Sequence, residues 1–77
     1  MSTKYTYTIR QHGHVDLCGL SNKRTAYKVA RSLVPWRLPT ARFPMRVYAV
    51  APGQERGQLL YRCWRSVSKN RVIGEDR

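Results

Sequence analysis

Acidic side chains are scarce in this sequence. Its 77 residues carry four Asp and Glu against fifteen Lys and Arg, which gives a formal net charge of +11. Most of the cations are arginine, whose flat guanidinium pairs with phosphate or carboxylate through two parallel hydrogen bonds. Such an excess predicts an acidic partner: a nucleic acid, a nucleoprotein or an acidic protein surface. The alternative is a basic chain that its charge merely keeps soluble.

The same scarcity argues against catalysis. Only Asp16 and Glu55 fall inside the predicted folded body, and they fall in different hairpins. The chain therefore lacks the carboxylate pair of a glycosidase and the carboxylate ligands of a metal-dependent nuclease. It also has no G-x-S-x-G, P-loop or H-E-x-x-H motif. We expect a protein that is not an enzyme.

Metal-binding residues are few and poorly spaced. The candidates are His12, His14, Cys18 and Cys63, and their spacing fits no common zinc pattern, which usually has close pairs on both sides. The two cysteines are too few for a disulfide framework, and a reducing compartment leaves them as thiols. We therefore predict no metal site and no cofactor.

Long apolar runs are also missing. No stretch approaches the roughly 20 residues that span a bilayer, and the N-terminal MSTKYTYTIRQ lacks the apolar core of a signal peptide. Length predicts one domain over residues 1–77, with a folded body at about 4–67 and a polar tail at 68–77. We expect a cytoplasmic protein.

One segment, residues 21–34, has a clear helical period. Either Ser21 or Asn22 can cap its N-terminus, and Pro35 is predicted to end it because proline lacks an N–H and disfavours a helical residue before it. The apolar stripe is Ala26, Val29, Ala30 and Leu33. The cationic residues are Lys23, Arg24, Lys28 and Arg31. No acid compensates these cations, so they form one candidate binding surface, and an ordinary solvated helix face is the alternative.

Alternating residues on either side of the helix predict four strands. They lie at 4–11, 14–20, 45–50 and 58–67, and residues 71–73 can add a short edge strand. The proline-rich stretch 35–44 is predicted to be an irregular connector in which Trp36, Leu38 and Phe43 anchor against the core edge. The order ββαββ predicts a two-layer α+β domain, an antiparallel sheet of about four strands with one helix packed on one face.

The sheet face opposite the helix is the second candidate surface. Alternation in 58–67 places Leu59 with Tyr61 and Cys63 on one side, and Leu60 with the residues of the open face on the other. The predicted open face carries Arg10, Arg46, Tyr48, Arg62 and Trp64, with Thr6 and Thr8. Arginine beside aromatic rings on a flat sheet can stack bases and pair with phosphates. Alternatively, Tyr48 and Trp64 are a cross-strand packing pair on which the arginines stack.

The layout KYTYTIRQ…NKRTAYKVARSLV…MRVYAV…GQLLYRCW, over residues 4–67, resembles small phage-encoded anti-CRISPR proteins that act on type I (Cascade) complexes. These proteins share no signature motif, so the resemblance transfers no functional residue. It implies a non-catalytic, stoichiometric inhibitor in the host bacterial cytoplasm that binds Cas subunits of Cascade and blocks engagement of target DNA. The basic charge departs from the acidic, DNA-mimicking members of the group.

Two hypotheses therefore stand at the level of sequence. The first is a Cascade inhibitor that acts through protein contact. Its predicted contacts are the four helix cations and, on the sheet, Arg10, Arg46, Tyr48, Arg62 and Trp64. The second is a free-standing, non-specific DNA- or RNA-binding accessory protein that uses the same residues on phosphates, with affinity that falls steeply with salt. The sequence contains no helix-turn-helix or other base-reading module, which disfavours a sequence-specific regulator.

Overall fold

A five-stranded antiparallel sheet covered on one face by a single helix makes up the fold. The computed structural model describes residues 4–54 and 57–76, so Glu55 lies outside the described residues. The elements in chain order are β1 (Thr6–Arg10), β2 (Leu17–Leu20), α1 (Lys23–Arg37), β3 (Met45–Val50), β4 (Gln58–Ser66) and β5 (Arg71–Asp76). The sheet order is β2-β1-β3-β4-β5. The predicted two-layer α+β class is confirmed, with one strand more than the four expected.

The core lies between α1 and one face of the sheet. Its buried strand residues are Ile9, Met45, Val47, Tyr61 and Cys63, and its buried helix residues are Ala26, Ala30 and Val34. The two alanines let the helix backbone approach the sheet closely, because they add little volume at the contact. Val29 and Leu33, the rest of the predicted apolar stripe, are partly buried against the same cluster. No described helix is long and apolar enough to cross a membrane.

The N-terminus of α1 is capped by Asn22, one of the two predicted caps. Its side-chain Oδ1 accepts hydrogen bonds from the backbone N–H groups of Arg24 (2.9 Å) and Thr25 (3.3 Å). These two N–H groups have no acceptor within the helix, so the Asn22 side chain provides the hydrogen bonds that water would otherwise make. The first turn contains no acid.

The predicted end of the helix at Pro35 is wrong, because α1 continues through Pro35 to Arg37. A proline in the last turn removes one hydrogen bond, and contacts beyond it hold the turn in place. The N–H of Leu38, which adopts the left-handed conformation (φ 49°), donates to the carbonyl of Val34 at 2.9 Å. The side-chain Nε2 of the buried Gln11 donates to the carbonyl of Arg37 at 3.0 Å. Tertiary contacts therefore override the local preference of proline.

The predicted anchors of the connector are also wrong. Trp36, Leu38 and Phe43 are exposed, and the buried connector residues are Pro39 and Pro44. The extension of α1 places Trp36 on the helix instead of in the irregular segment, and the left-handed Leu38 directly follows the helix.

The C-terminal segment predicted as a polar tail is part of the sheet. Residues 71–76 form β5, which pairs with β4 from Ser66↔Arg71 to Tyr61↔Asp76. The folded body therefore extends well beyond residue 67. A left-handed Asn70 (φ 51°) precedes the strand in the turn from β4.

A β-bulge in β4 changes which leucine faces the core. Val47 pairs with Tyr61, whereas Tyr48 pairs with Leu59, so Leu60 is the extra residue. Leu60 packs against the core cluster, and Leu59 shares the face of Tyr48. The simple alternation, which grouped Leu59 with Tyr61, is therefore wrong at these two positions.

Candidate binding surfaces

The helix cations form one exposed surface. Lys23, Arg24, Lys28 and Arg31 are all exposed, as the sequence period predicts, and we call these four residues the helix face. Arg24, Lys28 and Arg31 follow one another along about 10 Å of helix. The Nζ of Lys23 lies 5.5 Å from the ring centre of Tyr27.

Tyr27 connects the helix face to the core. Its ring stacks on that of Tyr61 at 4.5 Å between centroids and 17° between planes, and Tyr61 is buried. Burial raises the pKa of the Tyr61 hydroxyl, so this residue stays uncharged at neutral pH. Asn22, Lys23, Arg24 and Tyr27 line a shallow open depression at the start of α1. The depression therefore combines an aromatic wall with two cations.

The helix face has no internal compensation for its charge. Its helix contains no Asp or Glu. Among residues 4–54 and 57–76 the ion pairs are Arg10–Asp16 and Arg62–Glu75, and neither includes a residue of α1. The four cations therefore lie close together on one helix, and none of them makes an ion pair within residues 4–54 and 57–76. An anionic partner that displaces the solvent ions around them gains the release of those ions.

The open sheet face carries a row of arginines across three strands. Arg10 pairs in register with Arg46, Arg46 with Arg62, and Arg62 with Glu75. At one end of the row Nε of Arg10 lies 3.2 Å from Oδ2 of Asp16, and at the other end Arg62 forms an ion pair with Glu75. Two of the three arginines are thus matched by acids. In the part of the chain that the structure describes, Arg46 alone in this row has no ion-pair partner.

The aromatic residues of this face do not form a stacking platform. Tyr48 and Trp64 are half-buried, and the guanidinium of Arg10 lies 5.4 Å from the ring centre of Tyr48. Tyr48 pairs with Thr8 and Leu59, whereas Trp64 pairs with Ile73. The predicted cross-strand pair of Tyr48 and Trp64 is therefore wrong, although the predicted stacking of an arginine on Tyr48 is confirmed.

The structure brings together no metal site among its described residues, where no group of three or more His, Cys, Asp or Glu side chains converges. The sequence interpretation of the cysteines makes both Cys18 and Cys63 small core hydrophobes. It holds for Cys63, which is buried, and is wrong for Cys18, which is exposed. Burial raises the pKa of the Cys63 thiol to about 11, so the thiolate is not formed at neutral pH. His12 stacks on Phe43 at 4.8 Å instead of turning toward another ligand.

Sequence reasoning missed the acids that neutralise the open sheet face. Glu75 was assigned to a tail, and Asp16 was not matched with Arg10, since their contact depends on the irregular pairing of β1 with β2. The available signal for Glu75 was the possible edge strand at 71–73, because extending that strand to residue 75 places Glu75 beside Arg62 of β4. Comparison of the chain with protein-family models, with curated proteins and with solved structures gives no match.

Proposed function

We propose that this protein is a non-catalytic inhibitor that binds a type I CRISPR Cascade complex through the helix face and blocks engagement of target DNA. The observation that carries the proposal is the absence of any acid on α1 beside four exposed cations. The layout resemblance supplies the identity of the partner, and the charge supplies its chemistry. The contact is to acidic patches of Cas subunits, at or near the nucleic acid that they hold.

The helix face is a better candidate than the open sheet face. Both surfaces carry arginine, but Arg10 and Arg62 already make ion pairs that a partner would have to break or bridge. Breaking an exposed ion pair costs only about 0.2–1 kcal/mol. The two surfaces therefore differ mainly in how strongly their net charge attracts an acidic partner, and less in the cost of freeing their arginines. The helix face offers four cations on one helix, none of which makes an ion pair in the part of the chain that the structure describes. That arrangement suits rapid, charge-steered association with an acidic surface.

The alternative is a free-standing, non-specific DNA- or RNA-binding accessory protein. The half-buried Tyr48 and Trp64 weaken one form of it, because they present no row of rings on which bases could stack. Phosphate binding by the helix face remains compatible with the geometry. If its four cations each contact a phosphate of duplex DNA, affinity falls about 100-fold between 50 and 200 mM salt.

The test is a binding titration against an assembled type I Cascade complex, duplex DNA and single-stranded RNA at low and moderate salt. The variant is Lys28→Glu with Arg31→Glu, which removes two exposed cations from α1 without touching the core. A matched control, Lys4→Glu with Arg46→Glu, changes the charge by the same amount at exposed positions outside α1.

We expect wild type and the control to bind Cascade at moderate salt and to inhibit its capture of target DNA, whereas the helix variant does neither. Circular dichroism should show the same fold for all three proteins. Tight binding to naked nucleic acid with weak binding to Cascade would support the accessory-protein alternative and refute the inhibitor. Full inhibition by the helix variant would remove the helix face as the interface.

A further inference from the structure

Large apolar side chains are exposed at one end of the molecule. The exposed fractions are 81% for Val15, 82% for Trp36, 63% for Leu38, 45% for Phe43 and 92% for Val67. We call these five residues the apolar end. Tyr5 is the other exposed large apolar residue of the described chain, and it lies at the opposite end, before the pair Thr6↔Val50. A cluster of this kind is typical of an interaction site.

The fold explains why the apolar end is a single surface. The turn after β1 contacts the end of α1, and the connector that follows α1 contacts the end of β4. Nη1 of Arg37 donates to the carbonyl of Val15 at 3.3 Å, and the N–H of Arg65 donates to the carbonyl of Pro39 at 3.1 Å. These bonds tie four separate segments together, so the apolar side chains are displayed by a connected frame.

A small cleft opens within this surface. Leu38, Pro39, Thr40, Arg65 and Val67 line it, and its volume is about 130 Å³. That space suits one aliphatic or aromatic side chain from outside. A concave apolar site with Arg65 in its wall, and with the exposed Trp36 two residues before Leu38 in the chain, has features of a binding hot spot, in which a few aromatic and arginine residues dominate the energy.

The charge around the apolar end identifies the kind of occupant. The cations at this end are Arg37, Arg42, Arg65, Lys69 and Arg71. Two acids that the structure describes, Asp16 and Glu75, lie in the row of Arg10, Arg46 and Arg62, and each already makes an ion pair with an arginine. A second copy of the chain would bring an equally cationic rim into contact, which like-charge repulsion disfavours. An acidic protein segment with an apolar side chain would complement both the cations at this end and the apolar cleft.

We infer that the apolar end is a protein-docking surface, and that its occupant is an acidic segment of the partner that inserts one apolar side chain between Leu38 and Val67. The inference rests on the proposed function, because it assigns a second contact to the same partner that binds the helix face. The helix face supplies long-range electrostatic attraction to the partner, and the apolar end supplies short-range packing against it.

The test uses variants that remove apolar surface without disturbing the core. Leu38→Asn suits the left-handed backbone at that position, which asparagine adopts readily. It is combined with Val67→Ser, and Trp36→Gln is made separately, since glutamine is a good helix former. Tyr5→Gln at the opposite end is the matched control. Each is titrated against the assembled Cascade complex at moderate salt, where surface charge is partly screened.

We expect at least a tenfold loss of affinity for Leu38→Asn/Val67→Ser and for Trp36→Gln, with unchanged thermal unfolding, and less than a twofold change for Tyr5→Gln. Affinities of the apolar-end variants within twofold of wild type would overturn the inference alone and leave the helix face as the interface. No binding by wild type to any type I complex would overturn the proposed function and this inference together.

Two further measurements distinguish other occupants. Light scattering after size exclusion tests self-association, and flotation with phosphatidylglycerol vesicles tests lipid binding. A dimer, or vesicle binding, that disappears in Leu38→Asn/Val67→Ser would assign the apolar end to a second copy or to a membrane surface, and would overturn the protein-segment inference. A protein that stays monomeric and does not float with the vesicles would support the protein-segment inference.

Discussion

Replacing Pro35 by alanine should stabilise the protein, because this proline lies inside a helix. Pro35 is exposed and has helical residues on both sides, ending with Arg37. In a continuous helix its N–H would donate to the carbonyl of Arg31, and a proline ring crowds that carbonyl. Since the side chain is exposed, Pro35→Ala sacrifices little buried surface. The change therefore isolates the backbone cost of the proline.

The size of the effect follows from two limits. A proline costs about 3 kcal/mol relative to alanine in a helix interior, which is the upper limit for a residue in the last turn. The lower limit comes from the one hydrogen bond that alanine restores, which stabilises the folded state by about 1 kcal/mol. From this the roughly 0.4–1 kcal/mol is subtracted that proline contributes by restricting the unfolded chain. We expect a gain of about 1–2 kcal/mol. For a domain of this size that raises Tm by about 4–15 °C.

Thermal and guanidinium unfolding followed by circular dichroism measure the gain. Ser32→Ala, also exposed on α1, is the control, and its gain should not exceed about 0.5 kcal/mol. A Tm for Pro35→Ala that equals or falls below that of wild type would show that the last turn is not a strained helix. In that case the hydrogen bonds made by Gln11 and Leu38 would hold the last turn in a conformation that proline adopts without cost.

Three other expectations concern stability. Asn22→Ala should cost about 0.5–2 kcal/mol by removing the helix cap, and Asn22→Asp should retain the cap, as unfolding midpoints will show. Burial raises the pKa of the Cys63 thiol from 9.0 to about 11. The protonated thiol therefore contributes about 2–3 kcal/mol to the free energy of unfolding below pH 9, and this contribution is lost as the pH rises toward 11. Urea titrations across that range test it, and Cys63→Ser, which does not titrate, should flatten the decline. Glu75→Gln should cost less than about 1 kcal/mol, and less still at high salt, because its ion pair with Arg62 is half-exposed.

Local patterns predicted the parts of the fold that depend on local chemistry. The strand at Met45–Val50 alternates strictly between core and exterior, and its predicted bounds are those of β3. The cap at Asn22 and the buried Ala26 and Ala30 follow from the helical period. Because period two and period 3.6 each bury one face, these patterns also give the two-layer arrangement.

The errors arose where distant residues decide the conformation. The bulge that turns Leu60 toward the core depends on how β4 pairs with β3, which alternation alone cannot reveal. Strand β5 contains Gly74, Glu75 and Asp76, which are poor strand formers, and its pairing with β4 overrides that preference. An exposed Trp36 looks the same in a sequence as a buried one.

The candidate surfaces divide in the same way. The helix face was predictable because spacing along one helix fixes which side chains share a side. The open sheet face was predicted to carry three arginines with Tyr48 and Trp64. The structure adds Asp16 and Glu75, which come from segments whose placement required the complete topology. The net attraction of this face for anions is correspondingly weaker than the count of arginines suggested.

The pairing of β1 with β3 predicts an order in which the parts of the sheet fold. Strands β3, β4 and β5 form a meander whose partners lie roughly 10 residues apart, whereas β1 and β3 join partners roughly 40 residues apart. The entropy of closing the longer loop is greater by about 1.2 kcal/mol. The meander can therefore form early, and the N-terminal hairpin with α1 docks onto it late. Substitutions at the β1–β3 seam, such as at Ile9, should consequently speed unfolding more than they slow folding.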